Sequence, residues 1–427
     1  LPSFPTRRSS DLRGCIPTKS LLNGSKTYRH ALDSAAIGVS CGDVRYDLAA
    51  AMAWKAQTVS RLVQNVEFLM KKRGVEVIKG SGALVSPNAL TVSGMDATGD
   101  RRTVEGRAIV VASGSEPARP PIPGAAGNPL VVTSDDILSV SELPSSLVVI
   151  GGGVIGVEFA AYFSALGVKV SIVEMLPEIL PFMDSELASV YRRTLKGVAI
   201  ATGATVTGIS GGTVSYRKGE GAEEQSVTGD LVLMATGRRP SLAGIGLEAA
   251  GVGFSPRGIK VDDECRTDSP GVWAIGDATG RSLLAHSASA MGRAVAERIA
   301  GRDSVIPWKA LPWVVYGDPE AAGVGMTEAE AVAAGLDVVK ASLPARANGR
   351  FIAERGVTAH GLCKLVAEKG SGRLLGAHMV APYAGEAIWG MQYAISRGAT
   401  VADLERTVFP HPTVSELFHD ALSALEL

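Results

Sequence analysis

Apolar residues recur along this chain with two periods, and the switches between them outline its elements. From Pro17 to about Ala36, and from about Leu48 to Arg73, they fall three and four residues apart. This spacing predicts two amphipathic helices, the second with Trp54, Leu62, Val66 and Leu69 on its apolar side. Short β-rich runs, V-E-V-I-K-G at 75–80, A-L-T-V at 89–92 and R-A-I-V-V-A at 107–112, predict strands. Glu116 to Gly124 is proline-rich and reads as a connector. Leu147 to Glu174 is a strand, a glycine turn, a helix through Ala165 and a second strand, V-K-V-S-I-V-E. Strands around 203–209, 213–217 and 230–235 continue an α/β pattern to about residue 270, where V-W-A-I-G-D-A begins; a helix follows from about Ser287 to Ala300. Residues 310–427 change character, with strands near 313–316, 322–326, 337–343, 362–367 and 374–380 and helices after them. That α+β pattern suits a subunit interface.

Composition narrows the picture. A length of 427 residues predicts two or three domains, and 50 glycines with 5% aromatics suit α/β domains with many tight turns. A formal charge of −1 leaves no basic excess for nucleic acid or an anionic membrane. The four cysteines, Cys15, Cys41, Cys265 and Cys363, are scattered without a C-x-x-C pair, which excludes a disulfide framework and a cysteine zinc site. The histidines His30, His286, His360, His378 and His419 show no metal-ligand spacing, so no metal is expected. Glycines and Glu158 interrupt the most apolar stretch, Leu147 to Val168, and no secretory signal stands out. A cytoplasmic location is expected. Residues 1–12 have no apolar periodicity, and F-P-T-R-R-S-S-D-L is one translation of a common sequencing adapter, so this segment is expected to be a foreign or disordered leader. Reading the source locus from intact genomic DNA tests this, and an in-frame serine codon at position 10 would contradict it.

Four groups of residues carry candidate chemistry. In R-G-C-I-P-T-K-S-L-L at 13–22, Cys15 sits just before a helix that Pro17 can start, with Lys19 one turn on. A helix N-terminus and a nearby cation both favour an anionic, reactive sulfur; a buried, inert cysteine is the plainer alternative. Gly151, Gly153 and Gly156 form G-x-G-x-x-G between strand and helix, the pattern that lets a pyrophosphate approach a helix N-terminus. Glu174 ends the next strand, 18 residues past Gly156, near the spacing of a ribose-binding acid, and no Lys or Arg follows before Arg192. NAD is therefore expected over NADP. Asp277 ends the buried run A-I-G-D and reads equally as a turn or cap aspartate. In H-P-T-V-S-E, Glu416 would orient His411 for proton transfer or close a capping box with Thr413 at the start of a helix opened by Pro412. Glu158, by its own pattern, reads as an exposed helix residue.

The order and wording of these motifs resemble the dihydrolipoamide dehydrogenases, within the flavin-dependent pyridine nucleotide-disulfide oxidoreductases. In that family the first segment reads C-L-N-x-G-C-I-P-[ST]-K, and its two cysteines form a redox disulfide. Cys15 matches the second, flavin-side cysteine; Ser10 stands where the first belongs. The resemblance, covering residues 13–427, implies two Rossmann-like dinucleotide-binding domains and a C-terminal α+β dimerisation domain. The FAD domain would be split, with 13–142 lacking its first βαβ unit and 271–308 closing it; the NAD domain would occupy 143–270 and the interface domain 309–427. The resemblance further implies that Lys19 pairs with Glu158 beside the flavin, and that Asp277 binds the ribityl chain of FAD. Gly82, Gly114 and Ala285 would line FAD, and Gly237, in A-T-G-R-R-P, would meet NAD. His411 and Glu416 would serve the partner subunit of a homodimer as acid and base. The implied reaction oxidises a dihydrolipoyl group on the lipoyl domain of a 2-oxo acid dehydrogenase complex, or on a glycine-cleavage H protein, with NAD⁺ as acceptor. A glutathione- or mercuric-reductase-like enzyme, or a non-catalytic dimer or complex subunit, remains an alternative. With Ser10 and without a first βαβ unit, the chain as written is expected to bind FAD poorly and to lack lipoamide activity.

Overall fold

The computed structural model describes residues 14–94 and 101–426. They form two compact units. One holds the described residues up to Ser20 with Ala49–Arg119 and Gly237–Ile306; the other holds Leu21–Leu48, Pro120–Thr236 and the chain from Pro307 on. Ser10, the position matching the family's first cysteine, lies outside the described residues.

The second unit contains a five-stranded parallel sheet ordered Val131–Thr133, Leu231–Met234, Ser146–Ile150, Lys169–Val173 and Val198–Ala201. Its middle strand is apolar and buried from Leu147 to Ile150 because a parallel sheet is covered on both faces. The helix Val154–Ala165 that follows buries Val157, Phe159, Ala160, Tyr162 and Phe163. A second five-stranded sheet, antiparallel, is ordered Trp313–Val315, Glu320–Gly325, Leu374–Ala381, Leu362–Glu368 and Val338–Pro344. It shares one core with the helices Ala384–Ser396 and Glu416–Leu422 through Leu365, Met379, Ile388, Leu417 and Phe418. The strands expected here appear within about two residues of their expected ends. The helix Ser185–Thr194, capped by Asp184, was not expected.

The first unit is leaner. It contains a three-stranded antiparallel sheet, Ser81–Ser86, Ala89–Ser93 and Arg101–Glu105. A parallel pair joins Ile109–Val111 to Val272–Ala274, and a short ribbon joins Ser115–Pro117 to Arg238–Pro240. Its core is small: Leu84, Ile109, Val111, Leu247, Val252, Val272 and Ala274 are among its members. Several expectations need correction here. Residues 75–80 alternate like a strand but pair as one with no strand among the described residues, and Val75 and Val77 are exposed. The strand begins at Ser81, opposite Ser93. The helix Leu48–Lys72 forms as expected but buries none of its residues, and Trp54 is 64% exposed. The proline-rich connector contributes Glu116 and Pro117 to the ribbon. No helix among the described residues is long and apolar enough to cross a membrane.

Candidate active site

The glycine turn after Ser146–Ile150 is shaped by steric need. Gly151 has φ +106°, and a Cβ there would lie 2.5 Å from the Ala235 carbonyl oxygen. A Cβ on Gly156 would collide with the Gly151 carbonyl, so this glycine lets helix and strand pack closely. Gly153 is different: it caps the helix, and a Cβ there would meet nothing within 4 Å. That open position is where an anionic group can approach the free N–H groups of the helix. Glu174 is buried, and its carboxylate accepts from the Gly152 N–H at 2.5 Å and the Leu176 N–H at 2.7 Å. It thereby ties the turn to the next strand, and each oxygen keeps a lone pair for a ribose hydroxyl.

In the other unit, Asp277 sits in the turn Gly276–Thr279 directly after Val272–Ala274. Its carboxylate does not cap that turn; Ser115 Oγ donates to its Oδ2 at 2.6 Å. Gly114, with φ +74°, precedes Ser115, and Gly237, with φ +98°, precedes Arg238. Ala285 is the first residue of the helix Ala285–Ile299. Gly82 lies within a strand opposite Val92, where a Cβ would meet only Leu90 at an ordinary 3.8 Å.

Cys15 is exposed and begins the helix Cys15–Asp33, so the helix starts at the sulfur-bearing residue instead of after it, and Pro17 falls inside the first turn. The Gly14 carbonyl accepts from the Thr18 N–H at 3.1 Å and from Thr18 Oγ1 at 2.7 Å, which fixes that turn. Burial instead pushes the Cys265 thiol up to about 11 and the Cys363 thiol still higher, so neither is a reactive sulfur. Glu158 is not an exposed helix residue: it is 3% exposed, and its Oε1 accepts from the Tyr316 N–H at 3.0 Å. Lys19 and Glu158 fall in different units.

His411 and Glu416 meet. His411 Nδ1 donates to Glu416 Oε1 at 3.0 Å, and Oε2 of the same carboxylate accepts from the Thr413 N–H at 2.8 Å. These two hydrogen bonds, the backbone one first, hold the Glu416 carboxyl below the usual carboxylate range. One half of the expected capping box is thus present, while Thr413 Oγ1 donates to the Pro410 carbonyl instead. The helix begins at Glu416, not at Pro412. The His411 side chain is 82% exposed, with Nε2 as the ring nitrogen able to accept a proton.

The family profile described as pyridine nucleotide-disulphide oxidoreductase matches residues 7–292, and that family's dimerisation domain matches 311–422. The chain belongs to the pyridine nucleotide-disulphide oxidoreductases. The match starts inside the segment 1–12 that reads as foreign. Dihydrolipoyl dehydrogenase from Geobacillus stearothermophilus is 37% identical over 415 residues, covering 96% of this chain and 86% of the relative. Dihydrolipoyl dehydrogenase from Bacillus subtilis is 38% identical over 415 residues, covering 96% of this chain and 89% of the relative. Among solved structures, LpdA from Mycobacterium tuberculosis aligns with a TM-score of 0.87 at 26% identity, covering 97% of this chain and 91% of that one. The HOCl-induced flavoprotein disulfide reductase RclA from Escherichia coli aligns at 0.84 and 28% identity, with coverage of 97% and 91%.

Oxidoreductases of this family use FAD and NAD(H). The glycine turn and Glu174 fit NAD, with space at Gly153 and N–H donors at the start of the helix. Asp277, whose Oδ2 is held by Ser115, keeps lone pairs that could accept from hydroxyls such as those of a ribityl chain. Among the described residues only one glycine turn passes from strand into helix in this way. No group of three or more metal-ligating side chains occurs among the described residues.

Sequence reasoning missed a buried polar cluster in the larger unit. Lys364, 3% exposed, donates to Asp184 Oδ2 at 2.9 Å and Glu328 Oε2 at 2.8 Å. Burial works to lower the Lys364 ammonium, but the hydrogen bonds to Glu328 and Asp184 outweigh it and the net shift is upward. Tyr191 is fully buried with no hydrogen-bond partner for its hydroxyl; burial, then the charges of Glu158, Asp318 and Glu320, push its phenol up. The spacing of Lys364 within L-C-K-L-V-A-E, a charge in an otherwise apolar strand, was the available signal.

Proposed function

We propose that this chain is a dihydrolipoyl dehydrogenase-type enzyme that reoxidises protein-bound dihydrolipoyl groups with NAD⁺. The observation that carries the reading is the His411–Glu416 pair: an imidazole held by a carboxylate at 3.0 Å, yet 82% exposed. Such a pair suits a proton acceptor presented outward, to a disulfide on a second subunit of a homodimer. A dihydrolipoyl thiol gives its proton to Nε2 of His411, while Glu416 holds Nδ1–H and offsets the charge of the imidazolium. The thiolate attacks the outer sulfur of a disulfide whose inner sulfur is Cys15, and Cys15 leaves as a thiolate. The second dihydrolipoyl thiol then closes the lipoyl ring and leaves two protein thiols. FAD and NAD⁺, when bound, supply the two-electron acceptance that returns those thiols to the disulfide. In this scheme Lys19 pairs with Glu158 beside the flavin, Asp277, Gly82, Gly114 and Ala285 hold FAD, and Glu174, Gly151, Gly153, Gly156 and Gly237 hold NAD. The domains divide near 142, 270 and 308, and the lipoyl-bearing partner is a 2-oxo acid dehydrogenase complex or a glycine-cleavage H protein in a reducing, cytoplasmic compartment.

The outer sulfur needs a cysteine where Ser10 stands. The test compares the chain as written with a chimera whose residues 1–12 are replaced by the corresponding N-terminal part of the Bacillus subtilis relative. The chimera should purify yellow and form NADH from dihydrolipoamide, and His411→Gln in it should lower the rate by about 10²- to 10⁴-fold. The chain as written, with Ser10 in place of the outer cysteine, should form no NADH. A yellow chimera that forms no NADH would favour a non-catalytic subunit and sink the proposal.

A further inference from the structure

One of the chain's departures from the smaller unit and its return are joined by a ribbon. The chain leaves it after Arg119 and returns at Gly237. Ser115–Pro117 and Arg238–Pro240 pair antiparallel, Ser115 opposite Pro240. The ends are closed by the Ala118 N–H on the Gly237 carbonyl at 2.9 Å and the Ser241 N–H on the Gly114 carbonyl at 3.0 Å. Gly114 and Gly237, assigned above to different cofactors, thus bracket a single ribbon. At its centre, Ser115 Oγ accepts from Arg238 Nε at 2.8 Å and donates to Asp277 Oδ2 at 2.6 Å. Arg238 Nη2 also donates to the Ser115 carbonyl at 2.7 Å. A hydroxyl between a guanidinium donor and a carboxylate acceptor is polarised in one direction, which strengthens both bonds.

Most hydroxyls here serve their own neighbourhood: Thr18 and Ser34 bond carbonyls four and three residues away. Ser115 instead joins partners 123 and 162 residues distant. We propose that Ser115 is a positioning residue that locks the Asp277 carboxylate to the crossover ribbon, so that Asp277 meets a ribityl hydroxyl with Oδ1 while its other edge is held. This rests on the reading of Asp277 as the ribityl ligand of FAD. Linkage is reciprocal: loosening the ribbon weakens FAD, and FAD tightens the ribbon.

The test uses the chain as it exists for amide exchange and the N-terminal chimera for FAD affinity, each with Ser115→Ala and the conservative Ser115→Thr. Amide hydrogen exchange is followed in peptides spanning 114–119 and 237–241, and FAD affinity by quenching of flavin fluorescence. Loss of one net hydrogen bond to a charged group should speed exchange by about tenfold or more in S115A and weaken FAD by a similar factor. S115T should restore both. Unchanged exchange in S115A would overturn the proposal, and so would faster exchange with undiminished FAD affinity, since the role would then be structural only. If the chimera takes up no FAD, the ribityl reading of Asp277 fails. The lock is then decided by Asp277→Asn, which supports it if exchange rises as in S115A and overturns it if exchange does not.

Discussion

The parallel sheet around Ser146–Ile150 and the parallel pair Ile109–Val111 with Val272–Ala274 use the same apolar vocabulary, yet among the described residues one has five strands and the other two. Beside the larger sheet, Val149, Val157 and Phe163 are wholly buried. In the smaller unit, the 25-residue helix Leu48–Lys72 buries none of its residues and Val110 is exposed. Periodicity therefore reports which face of an element is apolar, while the number of neighbouring strands decides whether that face leaves water. The candidate chemistry divides the same way. The NAD turn is shaped by close contacts at Gly151 and Gly156, whereas Asp277 is held by hydrogen bonds from a ribbon.

Substitutions can break this contrast at several strengths. Phe163→Ala, in the packed helix beside the larger sheet, should cost about 3–5 kcal/mol, read as a large drop in the urea midpoint. Lys364→Met should come close behind, about 3–5 kcal/mol at most, because it strands the buried Asp184 carboxylate and removes a partner of Glu328. A pH series sharpens that result. Hydrogen bonds from Lys340 and Lys364 hold the Glu328 carboxyl below its usual range. Its contribution is therefore complete above the unfolded carboxyl pKa of about 4.3 and is lost as pH falls through the lower folded value. The wild-type midpoint should fall below about pH 4, and a K364M midpoint that falls just as steeply would count against the ion cluster.

Gly156→Ala should destabilise by about 1–3 kcal/mol through overpacking and weaken NAD⁺ binding, measured by calorimetry. Gly82→Ala and Trp54→Ala should each stay within about 0.5 kcal/mol, since neither disturbs a packed contact. A Trp54→Ala loss as large as that of Phe163→Ala would show that the helix Leu48–Lys72 is supported after all.

The strand–turn–helix–strand of residues 146–173 was legible because its glycines, apolar strands and closing Glu174 all give the same reading. The antiparallel strands 362–368 and 374–381 were legible as apolar runs. Residues 75–80 misled because alternation marks a strand only where a partner exists to pair with it. Trp54 misled because helical spacing does not reveal what lies opposite the face. The helix Ser185–Thr194 is mostly polar, although D-S-E at its start carries a cap signal: Asp184 accepts from the Glu186 N–H at 3.1 Å. The His411–Glu416 hydrogen bond is local and could be read from H-P-T-V-S-E. The Ser115–Asp277 bond could not, because 162 residues separate its ends and neither residue has a local pattern that names the other.

If the nucleotide-binding half is complete in itself, it should work without flavin. Calorimetric titration of the chain as written, with no FAD added, should show NAD⁺ binding at least about tenfold tighter than NADP⁺, because the Glu174 carboxylate, as the proposed ribose-binding acid, would disfavour a 2′-phosphate. Equal or tighter binding of NADP⁺, or no binding of either, would contradict it.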